Sequence, residues 1–228
     1  MRCRDLHDPL HGRLVLEHEH GNPSPVTSGQ DRLASDPGER HSMVLTNPPF
    51  GKKCSVAVVT DEGGLEKEDI AYERQDCWTR TKNKQLNFLQ HVSTILKVNG
   101  RCPIVVPDNV LFEGGAGETV RLLESCDVHT LLRLPTDLFY AQGVKAKVLF
   151  FDKKPAREGA WTEKLWVYEL RTHMHFKLKQ NPLRRHHLDE FVRLYNPENR
   201  HDRQPTCSEE TPEGRWRACD YDDLLKRN

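Results

Sequence analysis

Val44-Leu45-Thr46-Asn47-Pro48-Pro49-Phe50 is the stretch whose reading decides the fold. Met43-Val44-Leu45 is a short apolar run, and two prolines that no strand or helix interior readily accommodates bring it to a stop. The run therefore reads as a buried strand feeding a rigid loop. The prolines hold φ near ~−65° at successive positions, remove two backbone donors and leave carbonyl acceptors aimed in set directions. Asn47 adds a side-chain amide oxygen and Phe50 an aromatic face. Two acceptors and one stacking plate suit a planar ring with an exocyclic NH2. Gripping both amine hydrogens favours a pyramidal nitrogen whose lone pair is free to attack. Preorganised acceptors then stabilise the positive charge that develops there. A loop at the carboxyl end of a strand is also where ligands bind in open α/β sheets. The bland alternative for the same residues is a diproline turn carrying a buried Phe.

Working outward, the helical spacing of Leu86, Leu89, Val92 and Leu96 predicts a helix from about Lys84 to Val98, closed by Asn99-Gly100. Ile104-Val105-Val106 predicts a strand ended by Pro107, and Glu118 to Cys126 a helix entered through Gly114-Gly115-Ala116-Gly117. Strands are expected over Val128–Leu134, Val144–Phe151 and Trp166–Leu170, and a short helix over Leu188–Val192. This order points to an α/β sheet, mostly parallel, with a late hairpin. Residues 1–42 are weakly patterned, residues 43–180 form the α/β domain, and residues 181–228 read as a polar C-terminal arm. Within the domain, residues 60–84 are polar nearly throughout and read as a charged insertion in a mobile surface loop.

The whole chain has 228 residues, with 34 Lys+Arg balancing 34 Asp+Glu. That balance removes any general electrostatic argument for nucleic-acid binding, so such a case must rest on local patches. No apolar run approaches the ~20 residues that span a bilayer, so no membrane partner is expected. Met1 to Gly21 has no apolar core of the kind a secretory signal carries. Seven Cys, with no C-x-x-C pair, read as reduced thiols in a cytoplasmic protein.

Several motifs extend beyond the loop. They are Val44 to Phe50 with Gly51-Lys52-Lys53, Asn87-Phe88-Leu89-Gln90-His91, and Pro107-Asp108-Asn109-Val110-Leu111-Phe112. Gly143-Val144-Lys145 with Val148-Leu149-Phe150-Phe151, and Asp189-Glu190-Phe191, complete the set. Together, over roughly residues 31–228, they resemble the methylation subunit of type I restriction-modification systems, a family of adenine-specific N6 DNA methyltransferases. The resemblance implies the C-terminal part of a Rossmann-like class I methyltransferase sheet with a late β-hairpin. It implies methyl transfer from S-adenosylmethionine to the N6 of an adenine flipped out of duplex DNA. In that reading Asn47 and the Pro48 carbonyl hold the amine, Pro49 completes the corner, and Phe50 stacks on the base. Asp31 falls where an acidic residue lies near the adenine of the cofactor. The implied partners are duplex DNA and the specificity and restriction subunits of a type I complex.

Two departures accompany the likeness. Asp137 stands where a glycine is often found, and Lys147 where a small or amide residue is usual; both bear on packing. No glycine-bearing cofactor loop precedes Asn47, and the first two strands of the family sheet have no counterpart. The chain thus reads as truncated at its N-terminus, with weak or no cofactor binding expected on its own. A bare sheet edge beside the Asn47 strand would follow, unless the first 42 residues patch it. The alternative function is a catalytically dead subunit that only binds DNA or the specificity subunit. A glutamine methyltransferase, using the same loop on a protein amide, is a third reading.

Arg171 to His187 is the strongest basic segment and contains no acid. Lys177, Lys179, Arg184 and Arg185 are its candidate contacts to DNA phosphates, against the alternative of a solvated face. His173 and His175 have strand spacing but no third ligand, so no metal site is expected.

Overall fold

The computed structural model describes residues 14–17, 33, 35–50, 55–59, 65–69, 74–108, 110, 116–136, 138–139, 144–171, 176 and 181–226. Among the described residues nine strands run in chain order: β1 (Leu14–Glu17), β2 (His41–Thr46), β3 (Ser55–Val59), β4 (Leu65–Asp69), β5 (Leu96–Pro107), β6 (Cys126–Arg133), β7 (Ala146–Lys153), β8 (Lys164–Glu169) and β9 (Trp216–Asp220). Four α-helices accompany them: α1 (Lys84–Ile95), α2 (Ala116–Ser125), α3 (Asp189–Tyr195) and α4 (Tyr221–Leu225). Seven strands form one sheet in the order β1-β2-β5-β7-β6-β8-β9, and β3 and β4 form a separate antiparallel pair.

The α/β sheet with its late hairpin, β6–β7, is as the sequence implies. The expectation of a mostly parallel sheet is corrected. Only β2–β5 and β6–β8 are parallel. β7 folds back from β6 and inserts between β6 and β5, so one strand reverses both neighbouring pairings. β1 and β9 add antiparallel edges. Through β1, residues 14–17 pair the outer side of β2 and patch that edge.

The sheet is apolar on both faces. Val44, Ile104, Leu149 and Phe151 pack under Leu89, Val92 and Ile95 of α1 and Leu122 of α2. On the other face Leu132, Trp166 and Tyr168 pack with Phe191 of α3 and Trp216 of β9. The polar C-terminal arm is therefore tied into the sheet. Trp216 is fully buried and stacks on Trp166 with ring centroids 5.4 Å apart. Neither β9 nor α4 was read from the sequence; in Trp216-Arg217-Ala218-Cys219-Asp220 the inward pair is Trp216 and the small Ala218, too weak an apolar signal among polar neighbours.

The helix predicted to reach Val98 ends at Ile95, and the chain passes directly into β5. Asn99 then adopts φ 63°, and Gly100 lies so close to the Lys97 and His41 carbonyls that a side chain there would collide.

The reading of residues 60–84 as a surface loop is also corrected. Leu65–Asp69 is a strand, invisible to hydropathy because four of its five residues are charged. Residues 74–83 are pinned along a polar stripe of α1. Gln90 Oε1 accepts from the Thr79 amide at 2.9 Å, and Asn87 Nδ2 donates to the Thr81 carbonyl at 2.9 Å. Arg74 donates to His91 Nδ1 at 2.9 Å and pairs with Asp76, which accepts from Thr94. Asn83 caps the helix by accepting from the Gln85 and Leu86 amides. Asn83, Asn87, Gln90/His91 and Thr94 recur every three to four residues, so they share one helix face. Gln90→Ala is expected to lower stability by ~1–3 kcal/mol, because it removes both the bond from the Thr79 amide and the bond that Gln90 Nε2 donates to Asn87 Oδ1 at 3.2 Å. Denaturant midpoints and faster proteolysis within residues 74–83 check this.

Candidate active site

β2 is parallel to β5 and β6 is parallel to β8, while β7 opposes its neighbours. The carboxyl ends of β2, β5, β6 and β8 therefore share one edge of the sheet with the start of β7. The diproline corner leaves β2 at this edge. Val44 and Thr46 are buried, Asn47 is exposed, Pro48 is buried, and Pro49 and Phe50 are half-buried. The strand is anchored and its first loop residue faces solvent.

The Phe50 ring meets Phe139 edge to face, with centroids 5.1 Å apart and planes at 87°. This geometry is favourable for two aromatic rings. Both rings rest against the cluster that contains Leu134, Ala146 and Trp166. Phe139 joins the candidate site by this contact and was passed over in the sequence; its signal was a second aromatic in the connection leaving β6. Gln85 was missed as well. Its Nε2 donates to the Pro49 carbonyl at 2.7 Å. Gln85 is buried, and its Oε1 has no partner among the described residues.

At the same edge of the sheet lies a charge network whose Asp108 belongs to the Pro107–Phe112 motif and whose Arg171 opens the basic segment. Asp108, just past β5, accepts from Arg171 at 2.8 and 3.0 Å and faces Arg133 at 3.5 Å. Glu169 pairs with Arg133 at 3.0 Å and with Arg171 at 3.3 Å. The Lys147 ammonium, buried at 1% exposure, donates to the Asp108 carbonyl at 2.7 Å. Lys147 thus ties the turn after β5 to β7, a packing role at the edge that bears the site. Burial pulls its pKa down to about 8, against the opposing pull of Asp108, while Arg133 and Arg171 add to the lowering. Burial pushes the Asp108 carboxyl up, but Arg171, Lys147 and Arg133 outweigh it and hold the group below the usual carboxylate range.

Asp31, Lys177 and Lys179 lie outside the described residues, as do Asp137, His173 and His175. Arg184 and Arg185 are exposed, and Arg185 pairs with Asp189 on the surface. Leu183 and Leu188, on either side of them, pack on the same cluster as Phe50, so the two arginines belong to the face of the sheet that bears the aromatic pair. Among the described residues no group of three or more His, Cys, Asp or Glu could hold a metal. No described helix is long and apolar enough to cross a membrane.

The sheet order and the exposed Asn47 with its diproline corner at the carboxyl edge describe an open α/β domain with a rigid loop at its ligand-binding edge. The sequence model described as N-6 DNA Methylase matches residues 23–222, and the chain belongs to that family. It is 41% identical over 180 residues to the type I restriction enzyme EcoKI methylase subunit of Escherichia coli K12, covering 76% of this chain and 30% of that protein. It is 34% identical over 157 residues to the EcoEI methylase subunit of Escherichia coli, covering 66% and 28%. The crystal structure of the EcoKI M protein superposes with a TM-score of 0.66 at 36% identity, over 85% of this chain and 43% of that one. The chain thus spans under a third of the length of these curated relatives.

The Lys147 geometry makes a pH prediction. Its folded pKa of about 8 lies below the ordinary 10.5, so between those values the unfolded chain binds more protons. Stability from this group rises with pH across that window. In melting curves, the difference in Tm between wild type and Lys147→Met should grow in favour of wild type as pH rises from about 8 to about 10.

Proposed function

We propose that the chain carries the amine-capturing corner of an adenine-N6 DNA methyltransferase of the type I restriction-modification kind. The observation that carries this reading is the exposed Asn47 at the end of a strand anchored by buried Val44 and Thr46, followed by a buried Pro48 and a half-buried Phe50. The Asn47 oxygen and the Pro48 carbonyl accept the two N–H bonds of the exocyclic amine and orient its lone pair outward. Phe50, with Phe139 as its neighbour, supplies the aromatic surface on which an extruded adenine stacks. The amine needs no strong base before attack, because the fixed acceptors stabilise the charge it acquires and its proton leaves afterwards to water.

S-adenosylmethionine is the methyl donor this chemistry requires. A nucleoside cofactor needs a glycine-lined cradle beside the loop, and the described residues do not form one. Gly38 lies just ahead of β2, and Gly100 packs on the His41 carbonyl at the opposite end of that strand from Asn47. Gly159 and Gly214 lie in the connections before β8 and β9. Asp31 is offered as a contact to the adenine of the cofactor, on the resemblance alone. Duplex DNA is the proposed substrate, with Arg184, Arg185, Lys177 and Lys179 along its phosphates. The specificity and restriction subunits are the proposed partners, and the cytoplasm is the proposed compartment.

A second reading, resting on the sequence likeness alone, has this chain dock on DNA or a specificity subunit without turnover. Labelled methyl transfer to duplex DNA, with a specificity subunit present, separates the two. The first reading predicts N6-methyladenine as product and a loss of ~10²–10³-fold in Asn47→Ala, the size seen when one preorganised group of this kind is removed. Label on another base, or an unchanged Asn47→Ala rate, would contradict it. Tight duplex binding with no transfer would support the second.

A further inference from the structure

We propose that Gln85 is the positioning residue of the amine-binding corner: by engaging the Pro49 carbonyl, it leaves Asn47 and Pro48 as the two acceptors the loop offers to a ligand. This deepens the reading of the corner as an adenine site and rests on it. Gln85 and Pro49 are 36 positions apart, yet Nε2 donates to the carbonyl at 2.7 Å with Gln85 only 4% exposed. In such a poorly hydrated setting a hydrogen bond holds its partner firmly.

The donor is itself fixed. Gln85 is in the first turn of the 12-residue α1, where the Asn83 side chain accepts from the Gln85 amide at 3.0 Å and from the Leu86 amide at 3.3 Å. Asn87 anchors the same turn, through its amide on the Asn83 carbonyl at 3.0 Å and its side chain on the Thr81 carbonyl.

The other half of the Gln85 amide is informative. Its Oε1 is buried with no partner among the described residues. A Met would fill a similar volume without leaving an acceptor stranded, so packing alone does not account for an amide here. What the amide does, and Met cannot, is donate to the loop. A primary aromatic amine has two N–H bonds. Three outward carbonyl or amide oxygens would let it pivot among them. Two oxygens hold it in one orientation, with the lone pair directed away from both.

The test measures how strongly the chain prefers a duplex carrying a mispaired adenine over the same duplex carrying purine, which lacks only the amine. Wild type should prefer adenine, and Asn47→Ala should abolish the preference. Gln85→Met should lower the preference about tenfold, with its near-ultraviolet circular dichroism unchanged. Gln85→Glu is the decisive variant. At about pH 8 its carboxylate cannot donate, and the preference should fall as in Gln85→Met. Toward about pH 5 the buried carboxyl takes up a proton, its O–H donates to Pro49, and the preference should return. A side chain that merely fills space gives no such pH-dependent rescue. If wild type and Asn47→Ala differ but both Gln85 variants match wild type at every pH, the positioning role is wrong and the adenine site stands. If wild type shows no preference for adenine, both fall together.

Discussion

Two consecutive prolines at the end of a strand whose inward residues are buried, while Leu45 on its outer face is exposed, leave the backbone almost no freedom in how it turns. β2 is locked between β1 and β5, with Val44 wholly buried, so the turn begins from a fixed point. The prolines then set φ at two positions and can donate to neither neighbouring strand. Asn47 is left facing solvent, and the first aromatic after the prolines lands on the adjoining apolar face beside Phe139. The rest of the architecture holds this corner still. A loop made of rigid residues on a rigid strand loses little entropy when it receives a ligand.

The supports around it are mostly polar and come from distant parts of the chain. α1 uses one face for the core and a second, polar face to bind residues 74–83, and its first turn reaches the loop through Gln85. The turns after β5 and β8 are joined by Asp108, Glu169, Arg133 and Arg171, with Lys147 clamping from β7. Each of these bonds is buried or half-buried, so each costs more to break than a surface pair of the same length.

The central strands were legible because β2, β5, β6 and β7 bury alternating or continuous apolar residues, and the corner was legible because diproline chemistry is local. The edge strands were not. β4 carries almost nothing but charge, and β9 offers one large apolar anchor, Trp216, with only the small Ala218 beside it on the inner face. The antiparallel insertion of β7 is a choice of neighbour, which strand composition does not encode. Gln85 and Phe139 escaped for a related reason. An amide at the start of a helix and a Phe in a connection have ordinary structural uses, and only their distances to Pro49 and Phe50 give them a role in the site. Asn87, Gln90 and His91 were recognised by likeness alone, and the structure supplies their physical reason as the grip of α1 on residues 74–83.

The account stands on Phe50 being a docking surface rather than a piece of the core. Fluorine NMR of the chain labelled with fluorophenylalanine, its resonance at position 50 assigned by substitution, tests this during titration with a duplex bearing a mispaired adenine. A purine stacked on that ring should shift the position 50 signal through its ring current, and the shift should vanish when Asn47 is replaced by alanine. A Phe50 resonance that stays in place at saturating duplex would contradict the account.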